Sequence, residues 1–208
     1  LAENFFRGNH SRLRANIEKA LKITALIACM LIPPLFVLGE DIGILLFSNA
    51  HGGEIIRNCC FMLLPTSLHM ITCSVLNSLG CEKQTCLYFF AGAAATLLCV
   101  LLLPQFAGVY ALMIGAAASA VITTFLNLRL IAKKSMEKVR FCKHTLISAA
   151  SILPAIVFGT LLHGTLLAFL PALPAAILCG CAVMAAQGLF LMAAGTVRPQ
   201  WVLVLLKR

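Results

Sequence analysis

The chain has 208 residues, of which 61% are hydrophobic and 11% charged, with a formal net charge of +9. Soluble domains run near 45–50% apolar and about 25% charged, so this composition excludes an ordinary soluble fold and points to an integral membrane protein. Nucleic-acid binding is excluded too, because the basic residues sit between long apolar runs without any zinc-finger, helix-turn-helix or RRM pattern.

The chain starts at Leu1, and "LAENFFRGNHSRLR" lacks the apolar stretch and small-residue cleavage site of a signal peptide. It is therefore expected to be the carboxy-terminal part of a longer protein. Residues 1–20 are expected to form an amphipathic approach along the membrane surface, with Leu13, Ile17 and Leu21 at helical spacing. Six segments are then long and apolar enough to span a bilayer, namely Leu21–Gly39, Ile55–Leu79, Leu87–Leu103, Val109–Ile131, His144–Leu162 and Ala172–Gly195. The first four, within 21–131, form one group, and a basic loop at 132–143 separates them from two further spans within 144–195. Residues 196–208, with Trp201, are too short an apolar run to span and are expected to form an interfacial tail.

Charge sorts with the connections. Arg7, Arg12, Arg14, Lys19 and Lys22 precede the first span, Lys83 follows the second, and six basic residues from Arg129 to Lys143 follow the fourth. With Arg198, Lys207 and Arg208 in the tail, 15 of the 16 basic residues fall on one side of an alternating topology, and only Arg57 falls on the other. The positive-inside rule then places both ends of the chain in the cytoplasm and the protein in the cytoplasmic membrane as a multi-pass chain. The acids Glu40, Asp41 and Glu54 lie in the outer connection.

The second span is apolar yet carries polar groups. At 100° per residue, Asn58, Pro65, Thr66, His69, Thr72 and Asn77 fall within an arc of roughly 140°. Such a stripe faces either a cavity or neighbouring helices that it bonds to, and the residues alone leave both open. Pro65 removes the donor for the carbonyl near Phe61, so a kink is expected there. The small-residue runs Ala91–Ala95 and Gly115–Ala120 are expected to allow close helix packing. His51-Gly-Gly-Glu54 is expected to be a loop, and His144 and His163, at span ends, interfacial. The ten cysteines lie mostly in apolar runs, where a thiol is a small hydrophobe. No catalytic constellation, metal-ligand spacing or cofactor motif appears, so no catalytic residue, metal or cofactor is expected.

Four stretches in order carry a resemblance: "FFRGNHSRLRANIEKALKIT", "GEDIGILLFSN", "SVLNSLGCEKQT" and "LLLPQFAGVYALMIGAAASAVITTFLNLRLI". Together they resemble the carboxy-terminal half of the multidrug/oligosaccharidyl-lipid/polysaccharide (MOP) flippase superfamily, in its stage V sporulation protein B-like and polysaccharide-export branch. The turn after Pro104 carries an extra residue, Ala111 stands where the family often has glycine, and Cys81 stands where a basic residue commonly follows the hinge glycine, here Gly80. The resemblance implies an all-α, six-span part of a two-lobe MATE-like helical bundle, with the first lobe upstream and alternating access to a central cavity. It implies transport of a lipid-linked oligosaccharide or cell-wall precursor, driven by an ion gradient or membrane potential, with membrane lipids and a coupling ion as further partners. Arg57, Asn58, Thr66, His69, Thr72 and Asn77 are then the substrate-cavity candidates, and Pro65 and Gly80 the kink and hinge. A drug or cation antiporter of the same fold, a membrane-embedded transferase using Glu40, Asp41, His51 and Glu54, and a structural membrane subunit are the alternatives.

The topology gives one direct expectation. In intact cells a membrane-impermeant maleimide should leave Cys81, Cys86 and Cys142 unlabelled, and labelling of Cys142 from outside would overturn the six-span order.

Overall fold

The computed structural model describes residues 10–48, 50–135, 142–169 and 171–193. The expected tail 196–208 with Trp201, the first nine residues and the loop positions Lys138 and Arg140 lie outside the described residues, as do the side chains of Cys142 and His144. Among the described residues the chain is all helix. In order it forms α1 (His10–Val37), α2 (Gly39–Phe47), α3 (Ala50–Cys59), a 3-10 turn (Cys60–Met62), α4 (Leu63–Ser78), α5 (Glu82–Leu102), α6 (Pro104–Ala107), α7 (Tyr110–Ser135), α8 (Cys142–Ala150), α9 (Ile152–Leu167) and α10 (Ala172–Ala193).

Six stretches are long and apolar enough to cross a membrane: Leu13–Val37, His51–Ser78, Glu82–Leu102, Tyr110–Lys134, Thr145–Leu167 and Leu173–Ala193. They match the six expected spans within a few residues at most ends, and the first begins earlier because the helix runs straight through the approach segment. Their outer faces carry large apolar side chains, such as Phe89, Phe90, Leu97 and Leu101 on α5 and Leu153, Val157 and Leu161 on α9. That surface suits a hydrocarbon solvent and would be costly in water.

The chain divides into two compact units, one of residues 10–25 and 62–135, the other of residues 26–61 and 142–193. In the first, α4 and α5 each pack against α7. Leu13, Ile17 and Leu21 of α1 are fully buried there with Leu68, Val75 and Leu76 of α4 and Ile131 of α7. The stripe that reads as a membrane-surface face thus has an apolar protein surface to pack on. The turn between α4 and α5 is a Schellman cap. Gly80 has φ 70°, its N–H donates to the Asn77 carbonyl, and the Cys81 N–H donates to the Leu76 carbonyl at 3.0 Å. No atom lies within 4 Å of where a Gly80 Cβ would be, so backbone conformation, not space, calls for glycine. Cys81 is buried under this cap, which leaves exposed Cys86 as the thiol of this turn open to reagent.

In the second unit α9 packs on α10, and α2 pairs with α3 as a short helical hairpin. The expected loop at His51–Glu54 is therefore helical. Its glycines serve close approach instead of chain reversal, for a Cβ on Gly43 would fall on the Gly53 backbone, and one on Gly53 would fall on Glu40.

Two prolines sit inside α1, Pro33 and Pro34. Pro33 has no N–H to give the Cys29 carbonyl, its helical acceptor four residues back. Buried Gln187 of α10 supplies the donor, its Nε2 lying 3.2 Å from that carbonyl and 3.0 Å from Ser151 Oγ. In a medium without water such a carbonyl needs a protein partner. Gln187→Leu should therefore destabilise the protein by about 1–2 kcal/mol. In a Pro33→Ala background, which restores the backbone donor, the same change should cost distinctly less. Thermal unfolding in detergent, run as a double-mutant cycle, reads the difference.

Candidate functional site

The polar stripe of the second span divides between the two units. Arg57 and Asn58 lie on α3 in one, and Thr66, His69, Thr72 and Asn77 on α4 in the other. The span is not one regular helix, since its hydrogen bonding passes through the 3-10 turn at Cys60–Met62. That turn holds Phe61, the residue whose carbonyl Pro65 leaves without a donor.

On α4 most polar groups are used in packing. Thr66 Oγ1 donates to the Met62 carbonyl at 2.7 Å, within its own helix. The half-buried His69 meets Thr123 of α7, with Nδ1 2.8 Å from Oγ1. Thr123 also donates to the Ser119 carbonyl at 2.7 Å. A hydroxyl has one proton, so both contacts are satisfied together only when His69 carries its proton on Nδ1 and donates it. Thr72 is fully buried and accepts from Asn127 Nδ2 at 3.2 Å, while that amide also reaches Cys73 Sγ at 3.2 Å. Asn127 Oδ1 is buried without a partner among the described residues. Gly92 of α5 packs on Ser119 and Thr123 from the other side, where a Cβ would clash with both side chains.

Asn77 differs from these. It is exposed and lines a cavity of about 450 Å³ with Cys73, Glu82, Thr85, Cys86 and Phe89. This wall combines an amide, a carboxylate, a hydroxyl, two thiols and an aromatic ring, and α4 and α5 position all of it.

On α3, Arg57 lies over the Phe36 ring, 4.5 Å from its centroid, and Nη1 is 3.3 Å from Glu40 Oε1. Phe36 in turn meets Phe61 edge-on at 5.5 Å. Arg57 thus pairs across the hairpin with Glu40, seventeen residues earlier. With side chains 41% and 64% exposed, this pair contributes little to stability and leaves the guanidinium available. Asn58 beside it is exposed.

Three polar contacts were not foreseen from the sequence. Thr123 and Asn127 stand four residues apart on α7 with Ser119 four before, a stripe hidden by reading this helix as small-residue packing. Gln187 stands alone in an apolar helix. Asp41 and His163 are the third case. His163, expected at an interface, lies within α9, and its Nε2 approaches Asp41 Oδ2 of α2 to 2.7 Å. Among the described residues no three His, Cys, Asp or Glu side chains converge as metal ligands would.

Comparison with protein-family profiles, with curated proteins and with solved structures gives no match to this chain.

The division between packing and cavity residues has a measurable consequence. Asn127→Ala should lower the thermal midpoint by the equivalent of about 1 kcal/mol, because it removes an interhelix polar contact. Asn77→Ala should leave stability within about 0.5 kcal/mol of the parent, as an exposed side chain does. Equal losses at both positions would mean that Asn77 also packs.

Proposed function

We propose that the chain is the second-lobe part of a secondary-active flippase that moves a lipid-linked oligosaccharide or cell-wall precursor across the cytoplasmic membrane by alternating access. The observation that carries this reading is the second span, where a polar stripe occupies a helix otherwise apolar enough for lipid, in a six-span order that resembles the MOP superfamily over nearly the whole sequence. The asymmetry of 15 basic residues on one side against Arg57 on the other supports an orientation with both described ends cytoplasmic.

Within this reading Arg57 is the group suited to a diphosphate. It is the side chain that binds phosphate oxygens in bidentate fashion, and its pairing with Glu40 is exposed enough to exchange. Independently of Arg57, Asn77 with Glu82, Thr85 and Phe89 offers hydrogen-bonding groups and a ring suited to a hydroxyl-rich sugar. His69 and Thr72 hold α4 to α7. Thr66, bonded to its own helix, and Asn58, exposed beside Arg57, remain secondary candidates on the same stripe.

Substitutions in the whole protein separate these roles. Arg57→Ala should abolish most translocation in proteoliposomes while the protein still inserts and accumulates. Arg57→Lys should keep part of it, since charge is retained and the bidentate geometry is lost. His69→Gln should retain activity, because a side chain that bonds to Thr123 needs a polar partner rather than a titrating one. Full activity in Arg57→Ala would remove it from the substrate path.

A further inference from the structure

The second half of α7 carries a face that the packing of its unit leaves open. Val121, Phe125, Arg129 and Lys133 stand four residues apart on one ridge of the helix. All four are exposed, and so is Ile122 beside them. The opposite side of the same turns is spent on packing, where Thr123, Asn127 and Ile131 are buried. Lys134, also exposed, flanks the ridge at its charged end. Among the described residues no carboxylate meets Arg129, Lys133 or Lys134, so their positive charges are uncompensated there.

Arg129 does not reach toward the end of its helix. Its guanidinium lies over the Phe125 ring, 5.6 Å from the centroid, one turn back toward the middle of the membrane-length stretch Tyr110–Lys134. An arginine near a span end ordinarily extends its head outward to water. Here a ring face holds it inward, an attraction that grows as water is excluded. The ring supplies no oxygen, however, and the N–H groups of a guanidinium need acceptors at that depth.

The order along the ridge matches that of a phospholipid. Hydrocarbon comes first at Val121 and Ile122, then the ring, then the guanidinium, then the ammonium groups at the end of the span. Arg129 stands about 6 Å beyond Phe125 along the axis, and Lys133 about 6 Å farther. Phosphate oxygens accept from arginine in bidentate fashion, and lysine adds a point charge. A choline or ethanolamine head would bring a further cation to this cluster, so like-charge repulsion favours a headgroup of net negative charge.

We infer that this face of α7 binds an acidic phospholipid, with the headgroup phosphate on Arg129 and Lys133 and an acyl chain along Val121 and Ile122. A free anion would use the charged end alone and leave the exposed apolar part of the ridge without a partner. The site lies on one helix, needs only a bilayer and does not rest on the flippase reading.

The test places the whole protein in phosphatidylcholine vesicles that contain a trace of a photoactivatable lipid, either phosphatidylglycerol or phosphatidylcholine with a diazirine in one acyl chain. Adducts are mapped by peptide mass spectrometry on residues 121–125. The internal reference is residues 153–161 of α9, which carry exposed Leu153, Val157 and Leu161 and no basic residue. The ratio of phosphatidylglycerol to phosphatidylcholine adducts should be about tenfold or more higher on α7 than on α9. Arg129→Gln should cut that excess by about fivefold. Arg129→Lys should keep part of it, since charge stays and the bidentate contact goes. If Arg129→Gln does not accumulate, Lys133→Gln and the parent ratio decide the matter. Equal ratios on the two helices, or an excess that Arg129→Gln leaves in place, would overturn the site. So would an excess abolished by inorganic phosphate but not by chloride at equal ionic strength, which would make it a free-anion site. An absence of adducts from both lipids on 121–125 would mean that protein covers the face, and that too would overturn it. No arm involves lipid-linked sugar, so failure here and failure of the flippase reading are separate results.

Discussion

The structure depends on one constraint, that in an apolar medium every backbone polar group must find its partner inside the protein. Helices meet it by default, which is why the described chain is helical throughout. The informative places are those where proline removes a donor. At Pro33 the orphaned Cys29 carbonyl draws Gln187 across from α10, and Gln187 binds Ser151 with the same amide nitrogen. One missing N–H thereby ties α1, α10 and the junction of α8 with α9 into a single polar knot. At Pro65 the helix instead changes winding, through the 3-10 turn at Cys60–Met62. Two prolines in similar sequence settings are accommodated by different means, one by a distant side chain and one by local backbone.

The same constraint separates structural from functional polarity on α4. Hydroxyls such as Thr66 and Ser67 fold back on their own helix carbonyls at 2.7 and 2.6 Å and ask nothing of a neighbour. His69 and Thr72 engage α7, so their polarity is spent on helix association. Asn77 on α4, with Arg57 and Asn58 on α3, is what remains exposed. A polar stripe on a membrane helix is thus a mixture, and its spent members are identified by partners on other helices that the stripe itself does not reveal.

The close approach of α2 and α3 shows a related economy. Gly43 and Gly53 meet backbone to backbone, a contact that any side chain would prevent. This hairpin places Glu40 beside Arg57 and Asp41 beside His163, two pairings drawn from adjacent residues on one turn of helix. Glu40 and Asp41 therefore each meet a basic side chain across the structure.

The sequence by itself determined that the chain has six helices long and apolar enough to cross a membrane, and their approximate limits, because hydropathy over some twenty residues is a local sum. Gly80, expected as a hinge, is instead a helix cap, which the backbone shows through its left-handed conformation and the bonds that close the turn. What only the tertiary structure decided is which polar groups meet. His69 with Thr123, Gln187 with Cys29 and Asp41 with His163 are 54, 158 and 122 residues apart along the chain. Periodicity puts a residue on a face but does not say which helix covers that face. The reading of His51–Glu54 as a loop failed for the same reason, because glycines that look like breakers in isolation become helix contacts once another backbone lies against them.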